Sequence, residues 1–228
     1  MLWAWWPGAS AQTELPVQVI GTSEGLSQSS VLSLHQDPYG FVWLGTRDGL
    51  NLCEGNKIRV FKNVPGDTLS LAGNHINDIA DAADGNLWIA HNMGLSLYDR
   101  TRNRFKNYRV EDDNPEIRAI TVEKNGILAS GWSGVYELNP EKGLLEKTEK
   151  LGPTGQSSVT KIARAPDGTL WIATTNRGLV RFKDTRLPVS ELEKSLRVED
   201  ILFHSNGKVY LATRMEGIFE YSPGGQLL

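Results

Sequence analysis

The chain has 228 residues, enough for one large domain or two small ones with a sizeable core. Its net charge of −3 and pI near 5.8 argue against a nucleic-acid-binding surface, which would show a basic excess. The single cysteine, Cys53, excludes an internal disulfide framework and a cysteine-based zinc cluster. No stretch reaches the ~20 apolar residues of a membrane-spanning helix. The sequence therefore predicts no nucleic-acid partner and no membrane span in this chain.

The N-terminal segment, residues 1–11, is apolar and ends in Ala9-Ser10-Ala11, a small-residue pattern typical of signal-peptide cleavage. We predict that it is the remnant of a signal peptide, although it lacks a positively charged start. The alternative is an unstructured N-terminus of chance composition. The folded domain is then expected to span residues 12–228, beginning with a short strand at 17–20 and a polar loop at 21–30.

The stretch 36–50 contains the unit from which the rest of the chain is built. Residues 37–40, Asp-Pro-Tyr-Gly, have the composition of a tight turn. The continuous apolar run 41–44, Phe-Val-Trp-Leu, indicates a strand that is buried on both faces. A second turn follows, because the Asp-Gly pair at 48–49 between two apolar strands is a strong hairpin signal.

This unit occurs five times, with a period of about 42 residues. The first turn of each copy ends in a glycine: Gly40, Gly85, Gly126, Gly168 and Gly207. The aromatic residue that follows each glycine is Trp43, Trp88, Trp171 or Tyr210, and the shorter third copy has Leu128 instead. Because these side chains lie inside apolar runs, we interpret them as core rather than as a sugar-stacking platform.

The first four copies are predicted to contain four short strands each, and the fifth to contain three. In chain order the strands are 31–36, 41–46, 50–53 and 58–62; 76–80, 87–90, 95–98 and 104–108; 117–122, 127–130, 134–138 and 144–148; 159–164, 170–174, 178–182 and a weak strand near 186–189; and 198–203, 209–213 and 217–221. Residues 190–196 have a helix-like composition but form too short a segment for a helical layer.

Four antiparallel strands at this period are typical of a β-propeller blade, so the predicted fold class is an all-β propeller of about five blades. The repeats are assigned to residues 25–68, 69–112, 113–152, 153–190 and 191–228. Two alternatives remain for the ring: the strand at 17–20 closes it as the fourth strand of the last blade, or the five blades belong to a larger ring. The small residues Gly45, Ala90, Ala173 and Ala212 would allow neighbouring blades to approach closely.

The turns between second and third strands differ in chemistry while the strands keep their pattern, so they are the candidate ligand-binding rim. The predicted rim residues are Arg47, Asp48, His91, Asn92, Trp132, Asn176, Arg177, Arg214 and Glu216. His35 and His204 are assigned to first strands, but isolated histidines do not indicate a metal site. No nucleophile, P-loop or metalloprotease motif is present, so no catalytic residue, metal or cofactor is predicted.

Residues 31–51 read Val-x-Ser-Leu-His-Gln-Asp-x-x-Gly-Phe-Val-Trp-Leu-Gly-Thr-Arg-Asp-Gly-Leu-Asn and resemble the two-component regulator propeller repeat. The segments 24–30, Glu-Gly-Leu-Ser-Gln-Ser-Ser, and 65–71, Pro-Gly-Asp-Thr-Leu-Ser-Leu, are similar to the segments that precede repeats in this family. The resemblance covers residues 15–221 and weakens in the third and fifth repeats, where Leu128 and Tyr210 replace the tryptophan.

The resemblance implies a periplasmic input region of a membrane sensor whose output domain is a histidine kinase or a diguanylate cyclase. Because such regions usually have more repeats, it also implies that this chain is an N-terminal fragment. The expected function is therefore a non-catalytic sensor module that binds a small molecule, for example a carbohydrate, and forms a homodimer in the full-length protein. The alternatives are a propeller enzyme of the lyase or lactonase type and a protein-interaction platform.

Overall fold

The structure is a computed structural model that describes residues 19–124, 126–151, 156–175, 178–183, 188–192 and 197–228. The predicted signal-peptide segment 1–11 and residues 17–18 of the predicted first strand lie outside the described residues. The described part is almost entirely β-structure, with one short 3₁₀ helix at Thr22–Glu24. The prediction of an all-β fold is confirmed.

Nineteen strands follow in chain order within the described ranges, four for each of the first four blades and three for the fifth. They are β1 Val31–Gln36, β2 Val42–Thr46, β3 Gly49–Glu54, β4 Lys57–Phe61; β5 Ile76–Asp81, β6 Leu87–His91, β7 Gly94–Asp99, β8 Arg104–Val110; β9 Ile117–Glu123, β10 Gly126–Gly131, β11 Gly134–Asn139, β12 Leu144–Lys147; β13 Val159–Arg164, β14 Leu170–Thr174, β15 Gly178–Phe182, β16 Pro188–Leu192; and β17 Val198–Phe203, β18 Val209–Thr213, β19 Ile218–Tyr221.

Each blade is an antiparallel sheet in which sequence neighbours pair. A tight turn lets β1 and β2 pair directly. In this turn Gly40 has a φ of 87° and donates its N–H to the Asp37 carbonyl over 2.9 Å. The first strands β1, β5, β9, β13 and β17 lie against one another in succession and form the inner surface of the arc. These features confirm the predicted propeller-like stack of four-stranded blades.

The aromatic residue of the second strand packs against the following blade. Trp43 is fully buried, and its ring centroid lies 5.5 Å from that of Tyr98 in the second blade. Trp171 is also buried and lies 5.8 Å from Phe203 of the fifth blade. Trp88 is partly buried and packs against the hydrophobic cluster that the second and third blades share. The interpretation of these residues as core between blades is therefore confirmed.

Close approach between blades explains the small residue two positions after the tryptophan. A Cβ atom added to Gly45 would lie 2.7 Å from Cγ2 of Ile76, in the first strand of the second blade. Because real Cβ contacts are longer, a larger residue at position 45 would push the two blades apart.

The second and third blades are joined in a way that the repeat pattern did not predict. Their outer strands β8 and β12 pair in parallel, with Leu144 opposite Arg109 and Leu145 opposite Val110. The two blades therefore form one eight-stranded sheet.

Within the described residues, the five blades do not form a closed ring. Leu34 in β1 is 70% exposed, whereas Ile79 at the same position in the second blade is 6% exposed. At the other end of the arc, Leu202 and Ile218 are exposed as well. Residues 19–20 lie outside any strand, and the fifth sheet has only three strands, so closure by the predicted N-terminal strand is not observed in the described residues.

The end of the fourth blade differs from the prediction. Its outer strand β16 spans Pro188–Leu192 rather than residues near 186–189, and it pairs with β15. Residues 190–192 of the segment with helix-like composition therefore belong to a strand, because pairing with a neighbouring strand outweighs weak local propensity. Residues 193–196 lie outside the described residues.

Candidate functional site

The strand order brings all turns between second and third strands to one end of the arc, together with the connections between blades. We call this end the upper face, and the opposite end the lower face. Each of the innermost strands carries a register shift near its upper end. The side chain of the extra residue in such a bulge no longer follows the regular alternation between the two faces of the sheet. These residues are Leu32, Asn77, Arg118, Thr160 and Glu199.

Asp48 on the upper face has a structural role. Its carboxylate accepts a hydrogen bond from Lys62 Nζ over 2.6 Å and another from Asn74 Nδ2 over 3.1 Å. The hydrogen bond from Lys62 holds the pKa of Asp48 below its usual value. Asp48 therefore ties the first rim turn to the connection between the first two blades, while Arg47 beside it is exposed.

His91 is not an accessible rim residue, contrary to the sequence-based prediction. It is fully buried, its Nε2 lies 2.8 Å from Ser96 Oγ, and its Nδ1 accepts the Met93 N–H over 3.1 Å. Burial lowers the pKa of His91 to about 3. The imidazole is therefore a neutral packing and turn-capping group, and it cannot contact a ligand.

Replacing His91 by threonine is expected to remove part of the acid sensitivity of the fold. The first and fourth blades already carry Thr46 and Thr174 at this position, each donating to the carbonyl of the next strand's glycine over 3.0 Å. Because unfolding releases a histidine that binds a proton near its usual pKa of 6.5, wild-type stability should fall by about 2 kcal/mol between pH 7.5 and 5. Urea unfolding at both pH values measures this difference. An equal loss of stability in both proteins would contradict the assignment.

Five of the remaining rim predictions divide into three groups. The Asn92 N–H donates to the His75 carbonyl over 3.1 Å, which fixes the second turn, and the Asn92 side chain is exposed. Arg214 and Glu216 are exposed in the fifth turn, and the Arg214 N–H donates to the Arg197 carbonyl over 3.0 Å. Asn176 and Arg177 lie outside the described residues.

Trp132 lies at the centre of a compact cluster of aromatic, charged and amide side chains on the upper face. The Trp132 side chain is 43% exposed, and its Nε1 donates to Glu116 Oε2 over 2.8 Å. The guanidinium of Arg118 lies over the indole ring, 4.7 Å from its centroid. Asn77 from the second blade donates to the other carboxylate oxygen of Glu116 over 3.1 Å. The cluster therefore presents an aromatic face next to fixed charges.

Arg118 has unused hydrogen-bonding capacity in this cluster. Its Nη1 atom is buried and finds no hydrogen-bond partner among the described residues. Burial lowers the pKa of Arg118; the carboxylates of Glu199 and Glu116 oppose this shift, and the positive charge of Arg197 adds to it. Because Arg197 and Glu199 belong to the fifth blade, the charges around Arg118 come from both sides of the inner surface.

Sequence reasoning identified Trp132 but missed Glu116 and Arg118. Glu116 lies in a blade connection, and Arg118 is the bulge residue of an innermost strand. A search for charged residues at the second position of each first strand would have found Arg118 and Glu199 in the sequence. It could not have shown that Arg118 stacks on Trp132.

A charged network also crosses the inner surface below the bulges. Lys161 Nζ of the fourth blade lies 3.5 Å from Asp78 Oδ2 of the second blade and 3.2 Å from Asp200 Oδ1 of the fifth. The third blade carries only Ala119 at the same position, and its small side chain leaves room for Lys161 to pass. Burial lowers the pKa of Lys161, but the carboxylates of Asp78 and Asp200 outweigh this effect and raise it overall.

The described residues contain no cluster of three potential metal-ligating side chains. His35 Nε2 lies 3.1 Å from Asp81 Oδ1 on the inner surface. His204 was assigned to a first strand but follows the end of β17 in an exposed turn, where its Nδ1 accepts the Asn206 N–H over 3.1 Å. No helix within the described ranges has the length and apolar character needed to cross a bilayer.

Comparison with known proteins gives a family match in three of the five repeats. Residues 25–48, 70–93 and 154–176 match the family described as two component regulator propeller. A histidine kinase of Formosa agariphila is 47% identical over 49 residues, which cover 22% of this chain and 4% of the kinase. The sequence resemblance to this repeat family is thus confirmed.

Solved structures share the fold. The extracellular domain of a hybrid two component system from B. thetaiotaomicron has a TM-score of 0.74 at 23% identity, over 92% of this chain and 31% of that domain. A one component system from the same organism gives 0.70 at 21% identity, over 87% of this chain and 30% of its extracellular domain. A protein named as a gluconolactonase gives 0.62 at 13% identity, over 86% of this chain and 75% of its own length. The chain thus spans about a third of the extracellular domains that it matches.

Proposed function

We propose that this chain, which matches the two-component regulator propeller family in three of its repeats, is a ligand-binding part of the extracytoplasmic, periplasmic input region of a sensor. The fold likeness to extracellular domains of signalling proteins supports the location and the sensing role. We further propose that the whole protein has an output domain and acts as a homodimer, which light scattering of the full-length protein can test.

The ligand site that we propose is the cluster of Glu116, Arg118 and Trp132 on the upper face. The observation that carries this proposal is the buried, unpartnered Nη1 of Arg118 next to a half-exposed indole ring. Aromatic faces stack on sugar rings, and guanidinium and carboxylate groups hydrogen-bond to hydroxyl and carboxylate groups. The class of ligand is therefore a carbohydrate, neutral or bearing a carboxylate.

Replacing Trp132 by alanine is expected to weaken carbohydrate binding about tenfold, because the aromatic face at the centre of the site is lost. A thermal-shift screen with neutral monosaccharides, disaccharides and hexuronic acids first identifies a binding sugar, and calorimetry then measures its affinity for each variant. Phe41→Ala is a matched control, because Phe41 is 42% exposed and lies away from the upper face.

Arg118→Gln tests how much the guanidinium charge contributes to ligand binding, whereas Trp132→Ala tests the contribution of the aromatic ring. It should weaken binding of a hexuronic acid more than that of the corresponding neutral sugar, because only the acid offers a carboxylate to the guanidinium. If both variants bind the identified sugar as tightly as the wild type, the site lies elsewhere on the chain.

A propeller enzyme of the lactonase type is the second candidate, and it is supported only by the fold likeness to the gluconolactonase. Hydrolysis of simple sugar lactones by the purified chain tests this alternative. Turnover that survives repeated purification and is lost on replacing His35 or Asp81 would favour the enzyme over the sensor.

The exposed apolar side chains at both ends of the arc support a further part of the proposal, namely that additional blades cover them in the whole protein. Leu34 and Ile218 would then be buried as their counterparts in the inner blades are. Hydrogen exchange of the full-length protein would show whether the backbone around these residues is protected.

A further inference from the structure

A cleft of about 830 Å³ opens on the lower face between the third and fourth blades. Leu128 and Pro166 form part of its apolar wall, and Glu123, Arg164 and Asp167 contribute charged groups. This volume lies within the ~300–1,000 Å³ range of small-molecule sites. The cleft lies at the opposite end of the blades from Trp132, so it is separate from the carbohydrate site proposed above.

The interface between the first and second blades, called here the first interface, shows which group this cleft lacks. Between the first and second blades the corresponding space is filled by the indole ring of Trp43. Its Nε1 donates to Asp37 Oδ2 over 2.8 Å, and the guanidinium of Arg100 lies over the ring, 5.3 Å from its centroid. The Trp43 indole is thus surrounded by apolar side chains, a carboxylate that accepts its N–H and a guanidinium.

The third interface also has a carboxylate and a guanidinium but no ring; its arginine, Arg164, ends the first strand β13, whereas Arg100 follows the third strand β7. Glu123 precedes its turn glycine by three residues, as Asp37 does, and Leu128 occupies the tryptophan position. Arg164 Nε and Nη2 both donate to Glu123 Oε1, over 3.0 and 2.6 Å. Among the described residues no hydrogen bond to Glu123 Oε2 is found. A carboxylate oxygen and a guanidinium therefore border a cleft whose indole is replaced by Leu128.

We propose that this cleft binds a planar aromatic molecule with an N–H donor, of the indole class, in the place that Trp43 occupies at the first interface. The ring packs against Leu128, and its N–H donates to Oε2 of Glu123. The guanidinium of Arg164 lies beside the ring as Arg100 does in the first interface. Polar substituents on the ligand reach the charged groups at the opening of the cleft.

Leu128→Trp tests the proposal, because it inserts the side chain that three other repeats carry at this position. Titration of the chain with indole, followed by calorimetry, should show binding to the wild type and at least tenfold weaker binding to Leu128→Trp. Tyr210→Trp is the matched control, since it adds a tryptophan at the same repeat position in the fifth blade and should leave indole affinity unchanged. Trp132→Ala should also bind indole as the wild type does.

A second comparison stays informative even if Leu128→Trp does not fold. N-methylindole has the same ring but lacks the N–H donor, so the wild type should bind it about tenfold more weakly than indole. Glu123→Ala should bind both molecules equally. The proposal is overturned if the wild type does not bind indole at millimolar concentration. It is also overturned if Leu128→Trp keeps wild-type affinity, or if N-methylation of the ligand has no effect.

Discussion

Replacing Asp37 by alanine is expected to lower the free energy of unfolding at pH 7 by about 3–5 kcal/mol, because it breaks a buried ion pair. The Asp37 side chain is fully buried and lies 2.7 Å from Arg100 Nη2 of the second blade. It also accepts hydrogen bonds from Trp43 Nε1 and from the N–H groups of Tyr39 and Phe41. One carboxylate therefore holds a turn, a core indole and the neighbouring blade together.

The effect should depend on pH. Burial raises the pKa of Asp37, but the hydrogen bonds from Trp43 and Arg100 outweigh this effect and lower it overall. A carboxylate with a lowered folded-state pKa contributes its full stability above the unfolded-state pKa of about 3.9, and loses it as pH falls further. The difference between wild type and Asp37→Ala should therefore be constant from pH 7 to 5 and become smaller below pH 4.

Urea unfolding at several pH values measures this difference, and Asp84→Ala provides the control. Asp84 is an exposed carboxylate in the corresponding turn of the second blade, where it accepts only local hydrogen bonds from Asn86. Its removal should cost less than about 1 kcal/mol. Similar losses in the two variants would show that the Asp37–Arg100 pair does not hold the first two blades together.

Lys161→Met is expected to have a comparable effect, about 3–5 kcal/mol at pH 7, because it leaves the Asp78 carboxylate, whose side chain is only 14% exposed, without a counter-ion. Asp78 accepts the Ile120 N–H over 3.0 Å and the Ile79 N–H over 3.1 Å, which stabilise its carboxylate but do not neutralise it. Burial raises the pKa of Asp78, and the charge of Lys161 opposes that shift. Without the lysine, the folded protein loses the least stability if Asp78 binds a proton.

The double variant Asp78→Asn/Lys161→Met should recover a substantial part of the lost stability, because it removes both charges. Chemical unfolding of the two single variants and the double variant gives the coupling energy. Lys142→Met is the control, since Lys142 forms a mostly exposed pair with Glu146 over 2.6 Å and should contribute less than about 1 kcal/mol. A double variant that is no more stable than Lys161→Met alone would show that the two groups act independently.

Raising the pH should also reveal the contribution of Lys161. The folded-state pKa of Lys161 is raised, so its contribution is fully present below the unfolded-state pKa of about 10.4 and is lost as pH rises through the folded-state pKa. Wild-type stability should therefore decline at strongly alkaline pH more steeply than that of Lys161→Met.

The blade repeat was predictable because its signals are local. A turn glycine such as Gly40 sets the backbone of the first hairpin, and the apolar run around Trp43 sets the doubly buried strand. The position of Trp43 within that run was sufficient to predict that it packs between blades rather than against a ligand. The departure of Leu128 from the pattern was visible too, but the sequence did not show that a cleft opens there.

The candidate site was only partly predictable. Trp132 was identified because rim turns are exposed, whereas His91 was assigned to the rim for the same reason and is buried. Its neighbour Ser96 lies on the next strand, and sequence proximity to a turn did not reveal that contact. Arg118 was missed because only the bulge in β9 takes it out of the regular strand alternation.

The sequence by itself determined the all-β class, the unit of four strands and the burial of the repeated tryptophans, since turn chemistry and strand patterning act within about ten residues. Only the tertiary structure decided which charges meet, because the Asp37–Arg100, Glu123–Arg164 and Asp78–Lys161 contacts join residues of different blades. The stacking of blades sets those distances. It places Lys161 across Ala119 and leaves the place of one indole open beside Leu128.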